Sequence, residues 1–459
     1  MTDVAIIGAG PGGYVAAIKC AQLGKRVTLI DRENVGGVCL HHGCIPTKAL
    51  IHAADIFHDA GKAKDFGVTF SNVAVDFAKT QEWKSAIIKK LESGVRTLLK
   101  AGKVEIIQGE ASFASSKSVI VKTPSGESAL DFDKCIIATG SSERMLPGVA
   151  VDGEAVMTST HAVELKSVPK SLLVIGGGYI GIELSQMFAK FGTQITIVEA
   201  LPRILSLLDP EFSAVVEKEL KAMGAAIYVN SKVLKSEKRG SGVATSIQLA
   251  DGSTKEISTE KAILSIGRVP HTESLHLEKT KVQVDKGFIV VNTQLQTADP
   301  SIFALGDVIG GAMLAHKATA EAKVAAEVIA GKNSSFGNLV PYAIFSDPEI
   351  AGVGLTEEEA KKKGLSYTVK KFRSASEGKA QILGDSNAFF KAILGPNKEF
   401  LGLHICGDRA SDMIGEAVLA LEMGASAEDL ALIIHPHPTL VESYGELADV
   451  ILGKPTHSL

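Results

Sequence analysis

Two cysteines carry the most direct chemistry in this chain. Cys39 and Cys44 lie five residues apart in Gly36-Gly37-Val38-Cys39-Leu40-His41-His42-Gly43-Cys44-Ile45-Pro46-Thr47-Lys48. Residues at that spacing on an ideal helix have Cα atoms about 8–9 Å apart. A disulfide needs less than about 7 Å. A bridge between them therefore requires a distorted first helical turn, which Gly43, lacking a Cβ, makes easier. A strained bridge is more readily reduced, so the pair reads as a disulfide that opens and closes during chemistry. A structural staple or two unrelated thiols remain open from the pair alone.

The elements ahead of the pair supply context. Val4-Ala5-Ile6-Ile7 reads as a strand and leads into Gly8-Ala9-Gly10-Pro11-Gly12-Gly13, a helical pattern, and a second strand, Val27–Ile30, ending at Asp31. In such a unit Gly8 allows the tight turn, Gly10 admits a pyrophosphate to the backbone, and Gly13 lets helix and strand pack. The helix N-terminus favours the phosphates, and Asp31 can accept from a ribose hydroxyl. The unit recurs as Leu172–Ile175, Gly176-Gly177-Gly178-Tyr179-Ile180-Gly181, Ile195–Val198 and Glu199, with Asp31 and Glu199 at the same offset from the first glycine. Gly176, Gly178 and Gly181 repeat the three glycine roles. A carboxylate at the ribose repels a 2′-phosphate, so Glu199 points to NAD rather than NADP. Arg203 is close enough in sequence to weaken that reading, and a structural role for it is the plainer one.

A nicotinamide moves a hydride, whereas a disulfide exchanges its two electrons through a thiolate. A flavin can do both. The simplest assembly puts FAD at the first unit, NAD at the second, and Cys39/Cys44 beside the flavin. A base is also needed. His435-Pro436-His437-Pro438-Thr439-Leu440-Val441-Glu442 provides an imidazole and a carboxylate that could orient it, although histidines in an ordinary surface loop would look the same. No further ligand cluster accompanies them, so no metal is expected.

Whole-chain features bound these readings. The 459 residues accommodate two to four domains, and a net charge of −4 with no basic block excludes a nucleic-acid footprint. Five cysteines, an odd and sparse set, do not form a secreted disulfide framework. Cys20, Cys135 and Cys406 read as buried small apolar residues. The opening strand leaves no signal peptide, and no apolar run reaches the roughly 20 residues that span a bilayer. A cytoplasmic protein without membrane attachment is expected. Pro348, Gly352 and Gly354 read as turns, and Thr356-Glu357-Glu358-Glu359 as a helix start with acids in its first turn.

The dithiol segment, the doubled glycine motif and the histidine segment together resemble the pyridine nucleotide–disulfide oxidoreductases. Further segments extend the resemblance over the chain: Ile136-Ile137-Ala138-Thr139-Gly140-Ser141, Leu264-Ser265-Ile266-Gly267-Arg268-Val269-Pro270, Ile302-Phe303-Ala304-Leu305-Gly306-Asp307 and Met313-Leu314-Ala315-His316-Lys317. The resemblance implies an α/β fold with two Rossmann-like FAD and NAD(P) binding domains and a C-terminal α+β dimerisation domain. Its boundaries fall at 1–145 (FAD), 146–267 (NAD), 268–335 (a central part completing the FAD site) and 336–459 (interface). It implies FAD contacts from Gly8, Gly10, Gly13, Asp31, Gly37, Lys48, Ala111, Thr139, Gly140, Ser141, Gly306, Asp307 and Ala315. NAD contacts are implied for Gly176, Gly178, Gly181, Glu183, Glu199, Val233 and Gly267, with Lys48 pairing with Glu183 near the flavin.

The resemblance also implies that Cys39 and Cys44 are the redox pair, with His437 as base and Glu442 as its partner. These last two would be contributed across a homodimer. Within the family the chain is most similar to members that oxidise protein-bound dihydrolipoamide with NAD+. Their partners are the lipoyl domains and acyltransferase core of 2-oxo acid dehydrogenase complexes, or the glycine cleavage system. An NADPH-dependent disulfide reductase and a docking subunit without turnover are the alternatives. Three departures stand out. Asp31 replaces a more usual glutamate, Val38 a threonine, and His41-His42 an Asn-aliphatic pair between the cysteines. A protonated imidazole there would favour thiolate.

Overall fold

The structure is a computed structural model and describes residues 2–457. It begins with β1 (Thr2–Ile7), α1 (Pro11–Gln22) and β2 (Val27–Asp31). Val4 to Ile7 and Leu29 to Ile30 are buried, as strands covered on both faces by other layers must be. The dithiol segment forms α2 (Gly37–His41) and α3 (Cys44–Lys62). Next come α4 (Phe77–Ala101) and strands β3 (Glu105–Gln108), β4 (Glu110–Ser115), β5 (Ser118–Thr123) and β6 (Gly126–Ile137).

The parallel part of the first sheet runs β3–β2–β1–β6, and strand Ile302–Ala304 closes it on the far side of β6. Strand β6 serves two arrangements. Its last residues run parallel to β1, and its first half pairs antiparallel with β5, which pairs with β4. The second unit repeats the plan. Strands Ala226–Tyr228, Gln194–Val198, Ser171–Ile175, Lys261–Leu264 and Val156–Thr158 form a parallel sheet in that order. A three-stranded antiparallel meander over residues 232–259 accompanies it. The duplication read from the glycine motifs is thus a duplication of topology. Helix Ala315–Ile329 returns to pack on α1 through Ala322, Ala325 and Ala326 against Ala16 and Ala17, small residues that let two helices approach closely.

The C-terminal part is a five-stranded antiparallel sheet from Tyr342–Ile344, Ile350–Gly354, Phe400–Cys406, Phe389–Leu394 and Thr368–Phe372. Helices Ala410–Met423 and Glu442–Leu452 cover it with Met413, Ile414, Tyr444 and Leu447. The chain is α/β in its two nucleotide-binding units and α+β at its C-terminus. Thr356 and Glu359 form a capping box at helix Glu357–Lys362, as the acids there predict. Gly352 is a correction to the turn reading. It lies inside a strand, where a Cβ would come within 2.2 Å of His404 Nδ1 and 2.6 Å of the Tyr342 hydroxyl. The glycine makes room for that buried pair. Among the described residues, no helix is long and apolar enough to cross a membrane.

Candidate functional site

The two cysteines lie on different helices. Cys39 is in α2, His42 and Gly43 break the chain, and Cys44 opens α3. The strain expected of one distorted turn is thereby replaced by a helix–helix corner. Gly43 sits there with φ −132° and ψ −105°, and a Cβ would lie 3.2 Å from the Val38 carbonyl. Both thiols are free. Cys44 opens onto a cleft while the rest of its surroundings are dense protein, so it is at once accessible and poorly hydrated. The Cys39 thiol hydrogen-bonds to it, and together with Lys48 this outweighs burial and brings Cys44 down to about 7. Cys39 moves the other way, pushed above the usual thiol range by that hydrogen bond and by burial. Cys20, Cys135 and Cys406 are fully buried, and burial raises all three thiols.

Lys48, one helical turn after Cys44, donates from Nζ to Glu183 Oε2 at 2.7 Å. The other Glu183 oxygen accepts from the Phe345 amide at 3.0 Å, and the Lys48 ammonium lies 4.5 Å from the Phe345 ring centre. Both oxygens of Glu183 therefore serve this junction.

The first glycine loop faces the same cleft. Gly8 has φ +103°, a conformation that favours glycine. A Cβ on Gly10 would meet nothing within 4 Å and would project into open space, whereas one on Gly13 would strike the Gly8 carbonyl at 1.7 Å. The second loop repeats each feature: Gly176 has φ +107°, Gly178 is open, and a Cβ on Gly181 would lie 2.2 Å from the Gly176 carbonyl. The terminal acids do something their sequence role did not announce. Asp31 accepts from the amides of Ala9 and Glu33, and Glu199 from those of Gly177 and Leu201. Each carboxylate braces its own glycine loop. Arg203 hydrogen-bonds to Glu358 and to the Ser206 and Leu208 carbonyls, which is the structural role and leaves Glu199 unopposed.

The cleft gathers most of the residues expected around FAD. Gly8, Gly10, Asp31, Gly37 and Lys48 line it from the first unit, and Ala111, Thr139, Gly140 and Ser141 from the strands that follow. Gly306, Asp307 and Ala315 close it, and Ser141 donates to Asp307. Gly13 stands behind the loop as packing. Of the residues expected around NAD, only Glu183 reaches this cleft. Gly176, Gly178, Gly181 and Glu199 form the second loop, Gly267 follows strand Lys261–Leu264, and Val233 lies on the meander. Two glycine loops with open second glycines, each at a helix N-terminus and each braced by a carboxylate, fit two dinucleotides. Among the described residues, no group of three or more His, Cys, Asp or Glu is placed to hold a metal ion.

Three cleft residues were not singled out from sequence. Arg268 donates to the Ser141 hydroxyl at 2.7 Å and its carbonyl at 2.6 Å. Tyr179 begins helix Tyr179–Lys190 and lines the cleft, its phenol pushed up to about 12 by burial and by Glu183. His271 holds the Thr139 carbonyl through Nδ1, and burial moves its imidazole below the usual range. Arg268 and Tyr179 stand inside quoted motifs, where the glycines drew the reading.

His437 and Glu442 are joined, Nδ1 to Oε1 at 2.9 Å. A carboxylate only accepts, so Nδ1 carries the proton and Nε2 is free to take one. The second Glu442 oxygen accepts from the Thr439 amide at 2.7 Å, which fixes the carboxylate. Burial works against the Glu442 charge, but the Thr439 amide and His437 overcome it and lower the carboxyl. His437 is 77% exposed and does not line its own chain's cleft. His435 instead bonds Glu416 and is nearly buried.

Comparison with known proteins agrees with this geometry. Residues 2–322 match the pyridine nucleotide-disulphide oxidoreductase family, and residues 340–448 match its dimerisation domain. A dihydrolipoyl dehydrogenase of Geobacillus stearothermophilus is 45% identical over 99% of this chain and 97% of its own. One from Bacillus subtilis is 44% identical over the same shares. The solved HOCl-induced flavoprotein disulfide reductase of Escherichia coli superposes with a TM-score of 0.87 at 28% identity, covering 98% of this chain and 99% of that one. With both nucleotide loops, the dithiol between them and these full-length matches in place, the chain belongs to the pyridine nucleotide-disulphide oxidoreductase family.

Proposed function

We propose that this chain oxidises protein-bound dihydrolipoamide to lipoamide through the Cys39–Cys44 pair and FAD, reducing NAD+ to NADH. The observation that carries this reading is the pair's position, opening on the first nucleotide cleft and tied by Lys48–Glu183 to the second unit. The names of the relatives supply the substrate.

When bound, FAD takes two electrons from a dithiol and gives a hydride to NAD+, chemistry that no side chain supplies. Gly8, Gly10 and Asp31 would hold its pyrophosphate and ribose end, and Ser141 and Asp307 its middle. Gly176, Gly178 and Glu199 would hold NAD. The protein's own part is thiol chemistry. In the oxidised enzyme a substrate thiol attacks the Cys39 sulfur of the bridge and gives its proton to His437 Nε2. The Cys39–Cys44 bond breaks and Cys44 leaves as thiolate, a charge that the Lys48 cation favours at this point and that the Cys39 thiol favours again once it is freed. The second substrate thiol then attacks the substrate sulfur of the mixed disulfide, Cys39 leaves, and the proton of that thiol passes to the Cys39 sulfur. This closes the lipoyl ring and leaves both enzyme sulfurs reduced.

The exposure of His437 supports a homodimer in which each protomer's His437–Glu442 pair serves the dithiol of the other. Leu419, Met423, Leu432 and Ile434, all more than half exposed on the same C-terminal part, form apolar surface suited to such an interface. The four-part division at about residues 145, 267 and 335 belongs to this reading, as do a cytoplasmic location and docking on the acyltransferase core of a 2-oxo acid dehydrogenase complex. An NADPH-dependent disulfide reductase is disfavoured by Glu199, whose carboxylate stands at the second glycine loop where it would repel a 2′-phosphate, while Arg203 is engaged by Glu358.

The test is NADH formation by the flavin-loaded protein given dihydrolipoamide and NAD+, with NADP+ in parallel. Rapid turnover specific for NAD+ is expected. No turnover would turn the assignment to other disulfide substrates and then to a docking subunit.

A further inference from the structure

Beside the first cleft lies a buried ion pair that the proposed mechanism does not use. The short turn Gly306–Ile309 carries Asp307 at the cleft, and helix Ala315–Ile329 follows it. Lys317 and Glu321, one helical turn apart, pair Nζ to Oε1 at 2.6 Å, with 9% and 1% of their side chains exposed. Neither stops at its partner. Glu321 Oε2 accepts from the Gly306 amide at 2.8 Å, and Lys317 Nζ donates to the Gly310 carbonyl at 3.1 Å. The pair thus grips the amide that opens the turn and the carbonyl just past its end. Burying two charges is costly unless further hydrogen bonds satisfy them, and these two backbone groups do so.

The grip has a direction. A backbone amide must meet an acceptor and a carbonyl a donor, so a carboxylate at 321 and an ammonium at 317 fit. The reverse order would set donor against donor and acceptor against acceptor. Asp307 is met from the other side by Ser141, which donates to its Oδ2, and Arg268 holds the Ser141 hydroxyl at 2.7 Å. Ala315, at the start of the gripping helix, lines the cleft as well. The pair therefore fixes two stretches of the cleft wall against each other, the turn with Asp307 and the helix start with Ala315.

We propose that Lys317 and Glu321 are positioning residues for FAD: by holding both ends of the Gly306–Ile309 turn they set where Asp307 meets the cofactor, and so how long the holoenzyme keeps it. This rests on the assignment of the first cleft to FAD. The role belongs to the hydrogen bonds that the pair makes to the turn, and the ion pair serves by keeping each group aimed at its backbone partner.

The experiment follows FAD release from diluted holoenzyme by the rise of free-flavin fluorescence. Glu321→Gln keeps the shape of the side chain and removes its charge. It should release FAD roughly tenfold faster than wild type, the effect of one weakened charge-assisted hydrogen bond. Lys317→Arg, which retains a cation and its donors, should stay within about threefold of wild type. The exchanged pair Lys317→Glu/Glu321→Lys restores an ion pair but reverses its direction, and should release FAD at least as fast as Glu321→Gln. Lys391→Met breaks a buried ion pair away from the cleft and serves as the control for general loosening. Its release rate should match wild type.

Should Glu321→Gln fail to fold, Lys317→Gln carries the same test. It leaves Glu321 its Gly306 amide, so a smaller rise, of about threefold, is expected. A wild-type release rate in Glu321→Gln would overturn the proposal, as would recovery of that rate by the exchanged pair. Release from Lys391→Met as fast as from Glu321→Gln would also overturn it, because FAD retention would then follow stability in general. The assignment of the cleft is read separately. Wild-type protein that neither carries nor takes up FAD would remove that assignment and this proposal with it, whereas FAD-loaded variants that all release at one rate would remove this proposal alone.

Discussion

Lys48 and Glu183 join the two nucleotide-binding units by a 2.7 Å ion pair, with Glu183 almost fully buried and Lys48 one turn from the cleft-facing thiol of Cys44. The pair therefore has two duties, one in holding the units together and one in the electrostatics of the dithiol.

Lys48→Met should separate them. It leaves Glu183 buried with only the Phe345 amide, and a loss of about 2 kcal/mol in urea unfolding is expected for such a stranded charge. It also removes a cation beside Cys44, so the pH midpoint for alkylation of that thiol should rise, by about one unit. Lys48→Arg should retain most of both. A midpoint unchanged in Lys48→Met would show that Cys39 alone supports the thiolate.

Cys44 itself should titrate in the neutral range. With the thiol at about 7, reaction of the reduced protein with iodoacetamide should rise roughly tenfold from pH 6 to pH 8. Modification should map to Cys44 before Cys39. Because the unfolded thiol sits near 9.0, the unfolded chain binds more protons between about 7 and 9. The reduced protein should accordingly gain stability as pH rises through that window and lose it as pH falls. His42 lines the cleft with a buried Nδ1 that has no hydrogen-bond partner among the described residues, and His41 is held through Nε2 at the Val35 carbonyl. A change in the Cys44 midpoint is thus expected from His42→Val and not from His41→Asn. Identical midpoints in all three proteins would end the idea of an imidazole effect.

Glu199→Ala should lower the preference for NAD+ over NADP+ by at least about tenfold in kcat/KM, since it removes the charge that repels a 2′-phosphate. It also leaves the Gly177 and Leu201 amides unpaired, so KM for NAD+ should rise. If the ratio of the two nucleotides did not move, ribose selection would have to lie elsewhere in the second unit.

Lys391 is fully buried among Asp209, Glu211 and Glu357, at 2.8, 2.7 and 2.7 Å. Asp209 also accepts from the amides of Glu357 and Glu358, so the cluster ties the second nucleotide unit to the C-terminal sheet. Lys391→Met strands a buried carboxylate and should cost about 3–5 kcal/mol in stability. The double variant Lys391→Met/Asp209→Asn should recover part of it. Equal stability of the single variant and wild type would mean that the acids find other partners.

What could be read from the sequence divides along a physical line. The glycine loops, their acids and the dithiol announce themselves because the residues that act together are close in the chain, and their spacing mirrors a local geometry. His437 and Glu442 are legible for the same reason, five residues apart and joined. Asp209 and Lys391 are 182 residues apart, and nothing local marks either as a partner of the other. Glu377 and Ser443 are likewise distant, and Glu377 reads as an ordinary solvated acid until helix Glu442–Leu452 is laid beside it. Gly352 misled because a glycine can mark a turn or a close approach, and only the strand pairing that brings in His404 decides between them.

The carboxylate braces in the two loops have a consequence for how nucleotides are received. Asp31 and Glu199 fasten each glycine turn through the amide next to its first glycine. Glycine-rich chain is the most mobile kind, and freezing it when a dinucleotide arrives would subtract from affinity. Here that ordering is completed when the domain folds, so an incoming dinucleotide docks on a finished mould. One side chain thus tunes two properties together, the stiffness of the turn and the ribose it accepts. A substitution at either acid is then expected to alter the speed of nucleotide capture as well as its selectivity.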